Sequence, residues 1–462
     1  MVKKFNWFTT AVVVTSLCAA TSAYATNGYF THGTGTKNKA MAGSGIALPE
    51  DAIDMTNNPA VAPFVGDQLI VGAALFSPTR KYETGDSIFN GNFGAFTIGP
   101  NKIKSDNDIF VIPHIAKSWQ LNNGNAWGLS FYGRGGMDTE WKGGTATFDP
   151  DGPGPAPVMT FDGTYGAGKA GVNLNQAFLD ITWGKQVNDQ FSFGVSAVLV
   201  AQTFKAFGIG SFAGYTETFA ASGGTMMPDS LSNNGTDWSW GAGVKVGIHA
   251  PVSDKFTFGL MYQTKIWMNE FDDYSDLFAE QGDFDIPANL KFGVTFHASE
   301  SVDFNFDIEQ IWYSDVDSVA NPIQLLFACP TAGQGGMELS NCLGGDNGGG
   351  FGWDDMTVFK AGARWEAGED WTWRFGYSYG KQPIDESQMS FNILAPATVQ
   401  SHLTAGFTLE RTPGRQFNMA VMYAPNKSVT GPQNFDGPPD LAQSVKFEMY
   451  QWEVEASYSW RF

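Results

Sequence analysis

Strict alternation of apolar and polar residues marks the last segment of the chain. From Trp452 the even positions are Trp, Val, Ala, Tyr, Trp and Phe, whereas from Gln451 the odd positions are Gln, Glu, Glu, Ser, Ser and Arg. A period of two predicts a β-strand with one apolar and one polar face. Because the apolar face is aromatic and the other face is charged, we expect the apolar face to meet lipid and the charged face to line a lumen.

The same alternation recurs along the chain, for example between Trp238 and Ile248. Fourteen segments show it, and bacterial barrels close with an even number of strands. The predicted fold class is therefore all-β, a transmembrane antiparallel β-barrel of about fourteen strands. The segments are 68–82, 107–121, 125–141, 173–187, 190–207, 236–250, 254–267, 284–298, 301–314, 353–366, 370–384, 400–411, 415–427 and 446–462.

The connections between these segments alternate between short turns, such as 122–124 and 412–414, and long loops. In outer-membrane barrels the short turns are periplasmic and the long loops are external. Trp119 and Trp127 flank one short turn, as expected of an aromatic girdle. A helical membrane protein is excluded, because no segment after the N-terminus has the roughly 18 continuous apolar residues that a spanning helix needs.

The first 25 residues have the pattern of a secretory signal peptide. Lys3 and Lys4 precede an apolar run, and small residues stand at Ala23 and Ala25. We interpret Cys18 as part of the apolar core of this signal. The predicted organisation is a signal peptide over 1–25, an N-terminal plug over 26–66 and a barrel over 67–462, located in a bacterial outer membrane.

The segment 26–66 is rich in Gly and Ala and has no sustained strand pattern. A barrel of fourteen strands encloses space that needs filling, so we interpret this segment as a plug, or hatch, inside the lumen. It ends near Asn58, Pro59 and Ala60, where proline fixes its own backbone and favours extended geometry at the residue before it. These three residues are candidates for a rigid hinge of the hatch; the alternative is an ordinary turn into the first strand.

Composition narrows the function. The chain has 27 Lys and Arg against 47 Asp and Glu, a net charge of −20, and removal of Lys3 and Lys4 makes it −22. Such a surface repels nucleic acid. It is compatible with divalent cations that bridge it to lipopolysaccharide, or with plain solvated loops. Cys329 and Cys342 lie in one Gly-rich segment of an exported chain, where oxidising conditions favour a disulfide.

Motifs of catalysis are absent: the sequence contains no HExxH, GxSxG or Walker-type loop, and its five histidines are scattered. We predict no enzyme activity, no cofactor and no metal site. We also expect the barrel to be monomeric and to lie against outer-membrane lipid.

Two stretches resemble the FadL/TodX family of outer-membrane transporters for long-chain fatty acids and other hydrophobic compounds. They are residues 33–60, with the closing Asn-Pro-Ala, and residues 352–384, which resemble a late hairpin of that family. The resemblance implies that a hatch blocks the lumen and that external loops capture a ligand. The ligand then reaches a deeper pocket and leaves sideways through a gap in the third strand, without energy input.

That gap would fall at Gly133, Gly135 and Gly136 in the third predicted strand. Glycines inside a strand weaken its hydrogen-bonded ladder and often mark a bulge. The three glycines are therefore candidates for a lateral opening, and the alternative is a simple kink of the barrel.

The loops after the fifth and seventh predicted strands carry an apolar load that is unusual for segments facing water, and such patches indicate ligand binding. Within 267–283 the apolar residues are spaced three and four apart, which predicts one face of a helix. The alternative is that these side chains only pack against each other. The candidate ligand-binding residues are Phe207, Phe212, Phe219, Met226, Met227, Trp267, Phe271 and Phe278.

The predicted function is passive outer-membrane transport of a hydrophobic small molecule, most simply a long-chain fatty acid. Two alternatives stay open: a channel for aromatic or alkane hydrocarbons, and a structural or adhesin barrel that transports nothing. A carboxylate head group would favour a cation in the lumen, although buried charges usually pair with acids of the protein. The lumen-facing candidates are Lys245, Lys291, Lys360, Arg364 and Arg374.

Overall fold

A computed structural model describes residues 27–92, 96–149 and 154–462. The predicted signal peptide, residues 1–25, lies outside the described residues. Fourteen antiparallel strands form a closed ring, which confirms the predicted barrel and its strand number. The strands are β1 Gln68–Thr84, β2 Phe110–Gln120, β3 Asn125–Trp141, β4 Ala170–Asn188, β5 Phe191–Phe207, β6 Asp237–Ser253, β7 Phe256–Gln263, β8 Asn289–Ser299, β9 Val302–Ile311, β10 Met356–Glu366, β11 Trp371–Gly380, β12 Ser401–Thr412, β13 Arg415–Pro432 and β14 Ser444–Arg461.

The ring closes between the first and the last strand. β1 pairs with β14 over its whole length, from Gln68 opposite Arg461 to Thr84 opposite Val445. The alternation of β14 has the predicted sense, because Trp452 is 37% exposed while Glu453 is only 4% exposed. Aromatic and branched side chains therefore face outward around the ring, and the charged faces line the lumen.

Regular elements outside the ring are all short. Two-residue to four-residue strands extend the external loops, and the helices within the described residues have at most six residues. The short strands are Thr97–Ile98, Lys102–Lys104, Thr145–Phe148, Met159–Asp162 and Trp267–Met268; the α-helices are Thr36–Ala40, Glu217–Ala221, Ala279–Gly282, Asp317–Ala320 and Met389–Asn392; the 3₁₀ turns are Ala52–Thr56, Pro59–Phe64, Asn122–Gly124, Gly210–Tyr215, Asp272–Tyr274, Tyr313–Asp315, Ile323–Ala328, Pro330–Ala332 and Leu339–Asn341.

The helix predicted within 267–283 does not form. The segment contains a two-residue strand, a 3₁₀ turn over Asp272–Tyr274, and the four-residue element Ala279–Gly282, which is a tight turn and not a regular α-helix because Glu280 and Gln281 both have positive φ. The apolar spacing has another cause: Phe271, Tyr274 and Phe278 all pack around the ring of Phe204 on β5. Packing against Phe204 thus determines the conformation of this segment, because a helix so short gains little stability from its own hydrogen bonds.

Residues 27–66, here called the N-terminal segment, lie against the lumen-facing side chains of the strands. Lys39 of this segment places its Nζ 2.9 Å from a carboxylate oxygen of Glu453 and 2.7 Å from one of Glu455, and all three side chains are buried. Thr36 donates a hydrogen bond to Glu455 over 2.8 Å. The charged inner face of β14 is therefore a contact surface for the N-terminal segment.

A second ionic contact joins the N-terminal segment to β11. The Arg374 guanidinium donates to both carboxylate oxygens of Glu50, with Nε 2.9 Å from Oε2. Burial by itself would raise the pKa of the Glu50 carboxyl, but the Arg374 guanidinium outweighs burial and brings this pKa down to about 2. Glu50 therefore stays charged, and the contact holds over the whole physiological pH range.

Substitution of Lys39 by Met should weaken the attachment of the N-terminal segment by about 3–5 kcal/mol, because Glu453 and Glu455 then remain buried without a cation. The barrel itself should still form. Urea titration, with proteolysis of the N-terminal segment as the readout, measures the effect. The control is Lys81→Met, which removes an ion pair with Glu448. About a third of the Lys81 side chain is exposed, so its loss should change stability by less than about 1 kcal/mol. Equal midpoints for both variants would contradict the role of Lys39.

Candidate functional site

The ladder between β2 and β3 is incomplete. Within the described residues it runs from Gln120 opposite Ala126 to His114 opposite Tyr132, and the register ends there, before the start of β2 at Phe110 is reached. On its other edge β2 remains paired with β1 as far as Phe110. A gap therefore opens in the wall between 110–113 and the part of β3 that follows Tyr132.

The gap begins where β3 bulges. In the pairing with β4, the register shifts between Gly133 and Gly135, which leaves Arg134 as the extra residue. The three glycines predicted to mark the lateral opening, Gly133, Gly135 and Gly136, all lie at this bulge. A side chain at Gly135 would collide with the amide of Gln176 on β4, so this position requires glycine or a shift of its neighbour.

The N-terminal segment supplies β3 with other hydrogen-bond partners at the gap. Thr31 donates its N–H to the carbonyl of Arg134 over 3.1 Å, and Gly136 donates to the carbonyl of Tyr29 over 3.2 Å. Phe30 forms a bridge with Gly135 between these two bonds. At this height β3 therefore turns away from β2 and pairs with the N-terminal segment inside the barrel.

Asn58, Pro59 and Ala60 lie against the inner wall formed by β5 and β6. The Asn58 side chain donates to the carbonyls of Ile46 and Ile248 over 3.2 and 3.0 Å, and it accepts the Ala60 N–H over 3.0 Å. A side chain at Gly247 would collide with Asn58. The carboxamide thus begins the 3₁₀ turn that follows it and also ties this turn to β6.

Three of the predicted ligand-binding residues come together on the external side of the lumen. Phe212 and Phe278 line an apolar cavity of about 30 Å³, and Phe271 packs behind it against Phe204 and Phe278. The other lining residues are almost all apolar, and Ser318 is the one hydroxyl among them. They are Val172, Phe204, Ile209, Leu277, Ser318, Leu343, Gly349, Gly350, Phe351, Phe391 and Leu394.

The other five candidates lie elsewhere. Met226 and Met227 are 61% and 64% exposed on an external loop, and Trp267, 59% exposed, pairs with Ala242 on the outer side of the ring. Phe219 is half-buried, as is Phe207, whose ring lies 4.9 Å from Lys169 Nζ. The structure therefore does not bring these five residues into the cavity.

A larger groove lies between two external loops. It encloses about 370 Å³ and is lined by aromatic side chains such as Phe161 and by hydroxyl-bearing ones such as Thr147 and Ser211. One side is the short three-stranded sheet that contains Ala146 and Phe161, and the other side is the 3₁₀ turn with Tyr215. Phe212 separates the groove from the cavity, because its ring packs against Phe96 of the groove and Phe391 of the cavity.

The lumen cations named from the sequence are all paired with acids. Lys245 contacts Asp180 at 2.6 Å, Arg364 contacts Asp303 at 3.2 Å, and Arg374 contacts Glu50. Lys360 and Lys291 share a single carboxylate, Glu309, at 2.7 and 3.4 Å. Arg134 lies 4.0 Å from the same carboxylate, so three cations surround Glu309. Asp307 is a further acid nearby, and it accepts the Ile46 N–H.

Cys329 and Cys342 are joined by a disulfide in the external loop between β9 and β10. Their side chains are buried, and the carbonyl of Tyr215 lies beside Cys329 in the neighbouring loop. Among the residues that the structure describes, no group of three His, Cys, Asp or Glu side chains could hold a metal ion.

Sequence reasoning missed two parts of this site. The aromatic group of Tyr29, Phe30 and Tyr313 lies beside the gap, but in the sequence Tyr29 and Phe30 stand in a stretch without strand alternation. No role was predicted for Arg134, which stands between glycines. A long charged side chain between glycines in a strand is itself an unusual pattern, and this pattern was the available signal. Gly247 stands two residues after the lumen-facing Lys245, so alternation along β6 was the available signal for the position where Asn58 packs.

The sequence is similar to those of two fatty acid transport proteins. The chain is 22% identical to the long-chain fatty acid transport protein of Salmonella typhi, over 92% of this chain and 93% of that protein. It is likewise 22% identical to the long-chain fatty acid transport protein of Escherichia coli strain K12, with the same coverage.

Solved structures share the fold. The toluene transporter TodX of Pseudomonas putida superimposes with a TM-score of 0.60 at 16% identity, over 94% of this chain and 99% of that chain. A FadL homologue of Pseudomonas aeruginosa superimposes with a TM-score of 0.62 at 15% identity, over 94% and 100%.

A family model described as outer membrane protein transport protein (OMPP1/FadL/TodX) matches residues 12–461. The match spans nearly the whole chain, and its members are transport proteins or channels rather than enzymes. Both the fourteen-stranded barrel and the family match indicate that the protein is located in the bacterial outer membrane. This chain belongs to the OMPP1/FadL/TodX family of outer membrane transport proteins.

Proposed function

We propose that this protein carries hydrophobic molecules passively across the outer membrane, with long-chain fatty acids as the main substrate. In this proposal external loops capture the ligand, and the ligand leaves sideways through the gap between β2 and β3. The observation that carries the proposal is the end of the β2–β3 ladder at His114 and Tyr132, directly before the bulge of β3, because from there on β3 pairs with the N-terminal segment inside the barrel instead of with β2.

Capture would start in the groove of about 370 Å³ between the external loops. This volume lies within the range of small-molecule sites, and aromatic rings such as those of Phe148, Phe161 and Tyr165 form part of the lining. The cavity behind Phe212, at about 30 Å³, is far too small for an acyl chain. Transfer from groove to cavity therefore requires the ring of Phe212 to move away from Phe96 and Phe391.

An acyl chain would gain roughly 0.8 kcal/mol for each methylene that it buries, so the tail alone supports tight binding. The tail says little about the head group. The three cations around Glu309 support an anionic head group, because Arg134, Lys291 and Lys360 outnumber the acids that contact them. This charge balance favours fatty acids over neutral ligands.

Aromatic or alkane hydrocarbons are the second candidate. The cavity favours them because it is lined by phenylalanine rings and contains one hydroxyl, Ser318, and no cation. Structures named as toluene transporters share the fold. An adhesin or purely structural barrel is no longer proposed, since the chain belongs to a family of transport proteins.

We further propose that residues 26–66 form the hatch of the transporter. Thr26 lies outside the described residues. Support comes from the buried contacts of Lys39, Glu50 and Asn58 with three different parts of the wall. The expected monomeric state and a divalent-cation bridge between acidic loops and lipopolysaccharide remain proposals that rest on the sequence.

Uptake of a radiolabelled long-chain fatty acid should be restored when this chain is expressed in an outer-membrane mutant that lacks its own transporter. Parallel assays with labelled toluene separate the two candidate substrates. Surface labelling of the external loops verifies that the barrel is assembled. An assembled barrel that restores toluene uptake alone would reject fatty acids, and one that restores neither would reject the proposed transport.

Substitution of Gly136 by Leu should obstruct the gap and lower uptake by about tenfold to a hundredfold, because overpacking a narrow passage costs about 1–3 kcal/mol. Ligand binding to the external loops should persist. The matched control is Leu129→Phe on the lipid-facing side of the same strand. Normal uptake by the Gly136 variant would argue that the ligand leaves by another route.

Replacement of Asn58 by Ala removes three hydrogen bonds, each worth about 0.5–1.5 kcal/mol, and should loosen the hatch. Proteoliposomes that contain this variant should swell faster in a small sugar than those with the wild-type chain. The control is Asn57→Ala, which loses the hydrogen bond that the Asn57 side chain donates to the carbonyl of Thr34. If protease releases the N-terminal segment while swelling stays at the wild-type rate, this segment is not what blocks the lumen.

A further inference from the structure

The outer side of the barrel wall carries a group of lysines at the external end of β1. Here β1 pairs with β14 on one edge and with the short strand Lys102–Lys104 on the other. Side chains that oppose each other across a ladder share one face of the sheet, so charged residues of the three strands form two rows. The rows are Glu448, Lys81 and Lys104, and next above them Lys446, Glu83 and Lys102. The four lysines of these rows are here called the β1 lysine group.

The two rows face outward, just above the hydrocarbon level of the membrane. Glu448 and Lys446 belong to the even positions of β14, which carry its lipid-facing side chains, such as the exposed Trp452. The segment between Tyr450 and Trp460 on this face has the roughly 9–11 residues with which a tilted strand crosses the hydrocarbon core. Aromatic residues mark both interfaces of a barrel. Glu448 and Lys446 are the next outward positions beyond Tyr450, so they lie at the level of the outer-leaflet head groups.

The acids beside the β1 lysine group do not balance its charge. Every lysine contacts a carboxylate, but two lysines share that of Glu448, so that four lysines meet three acids. The contacts are Lys81–Glu448 and Lys446–Glu448 at 3.6 Å, Lys102–Glu83 at 3.0 Å and Lys104–Asp108 at 2.7 Å. Between 35% and 63% of each lysine side chain is exposed. Ion pairs this exposed contribute little to stability, so an anion of higher charge can displace the carboxylates.

A surplus of cations is unusual in this chain, whose net charge is −20. On the opposite side of the ring, the exposed charges next to the external ends of β9 and β10 are acids, Asp315, Asp354 and Asp355. The β1 lysine group therefore gives one side of the barrel a local affinity for anions that the rest of the external surface does not share.

We propose that the β1 lysine group binds the phosphorylated glycolipid of the outer leaflet, lipopolysaccharide, through its phosphates. The level of the lysines on the external side of the membrane selects a lipid of the outer leaflet. Below them, Val71 and Leu75 are exposed on the same face of β1 and would contact the acyl chains. Direct contacts between lysine and phosphate need no divalent cation, unlike a bridge through the acidic loops. This binding site does not depend on the proposed transport.

Native mass spectrometry of the full-length barrel in detergent, titrated with bisphosphorylated lipid A, tests the site. The test variant is the triple substitution Lys102→Gln, Lys104→Gln and Lys446→Gln. A lysine near an anionic lipid contributes about fivefold in affinity, so the dissociation constant should rise about a hundredfold. All three side chains lie at the surface, so the variant should assemble normally.

The matched control is the triple substitution Lys185→Gln, Lys255→Gln and Lys381→Gln, which changes the net charge by the same amount at the periplasmic ends of strands and in another external loop. It should keep the affinity of the wild-type chain. Equal dissociation constants for the two triple variants would overturn the proposal, because net charge rather than the β1 lysine group would then decide binding.

The choice of lipid has its own arms in the same experiment. Lipid A without its phosphates should bind the wild-type chain as weakly as intact lipid A binds the test variant. Phosphatidylglycerol should also bind more weakly, because it offers one phosphate instead of two. EDTA should leave the affinity for lipid A unchanged. Tight binding of the dephosphorylated lipid, equal binding of phosphatidylglycerol, or loss of binding in EDTA would each overturn direct recognition of lipopolysaccharide phosphates by these lysines.

Discussion

A strand that crosses a bilayer has to pair its backbone N–H and C=O groups on both edges, because lipid offers no hydrogen bonds. Around most of this barrel the neighbouring strands meet that requirement with continuous ladders. Between β2 and β3 they do not, and the N-terminal segment provides partners instead, through Tyr29 and Thr31. A break in the wall is tolerated here because one of its edges is buried in protein.

This arrangement makes the interior and the wall depend on each other. The N-terminal segment is held by charge pairs with β11 and β14 and by the carboxamide of Asn58 on β6. Its first described residues reach the external half of the lumen, where Tyr29 and Phe30 pack against Tyr313. A change in the N-terminal segment would therefore also change the backbone partners of β3. In the proposed transport cycle, the hatch and the exit are coupled through these few residues.

The sequence predicted the ring well because lipid on one side and a polar lumen on the other impose a period of two on every strand. Thirteen turns and loops could be placed from breaks in that period. Prediction failed where burial has no fixed period: the segment after Trp267 folds around Phe204 and forms no helix. The glycines after Tyr132 marked the gap, but Arg134 could not be assigned a role, since its partners Gln263 and Glu309 come from distant strands that only the closed ring brings together.

In the proposed transport path a hydrophobic ligand passes from the apolar cavity to the gap in the wall. Photocrosslinking with a diazirine-bearing fatty acid in outer-membrane vesicles, followed by peptide mass spectrometry, tests this path directly. A ligand that follows this path should form adducts both on cavity residues such as Phe278 and on residues that flank the gap, such as Ile112 and Met137. Adducts confined to lipid-facing positions such as Phe306, or to the periplasmic mouth around Glu410, would contradict it.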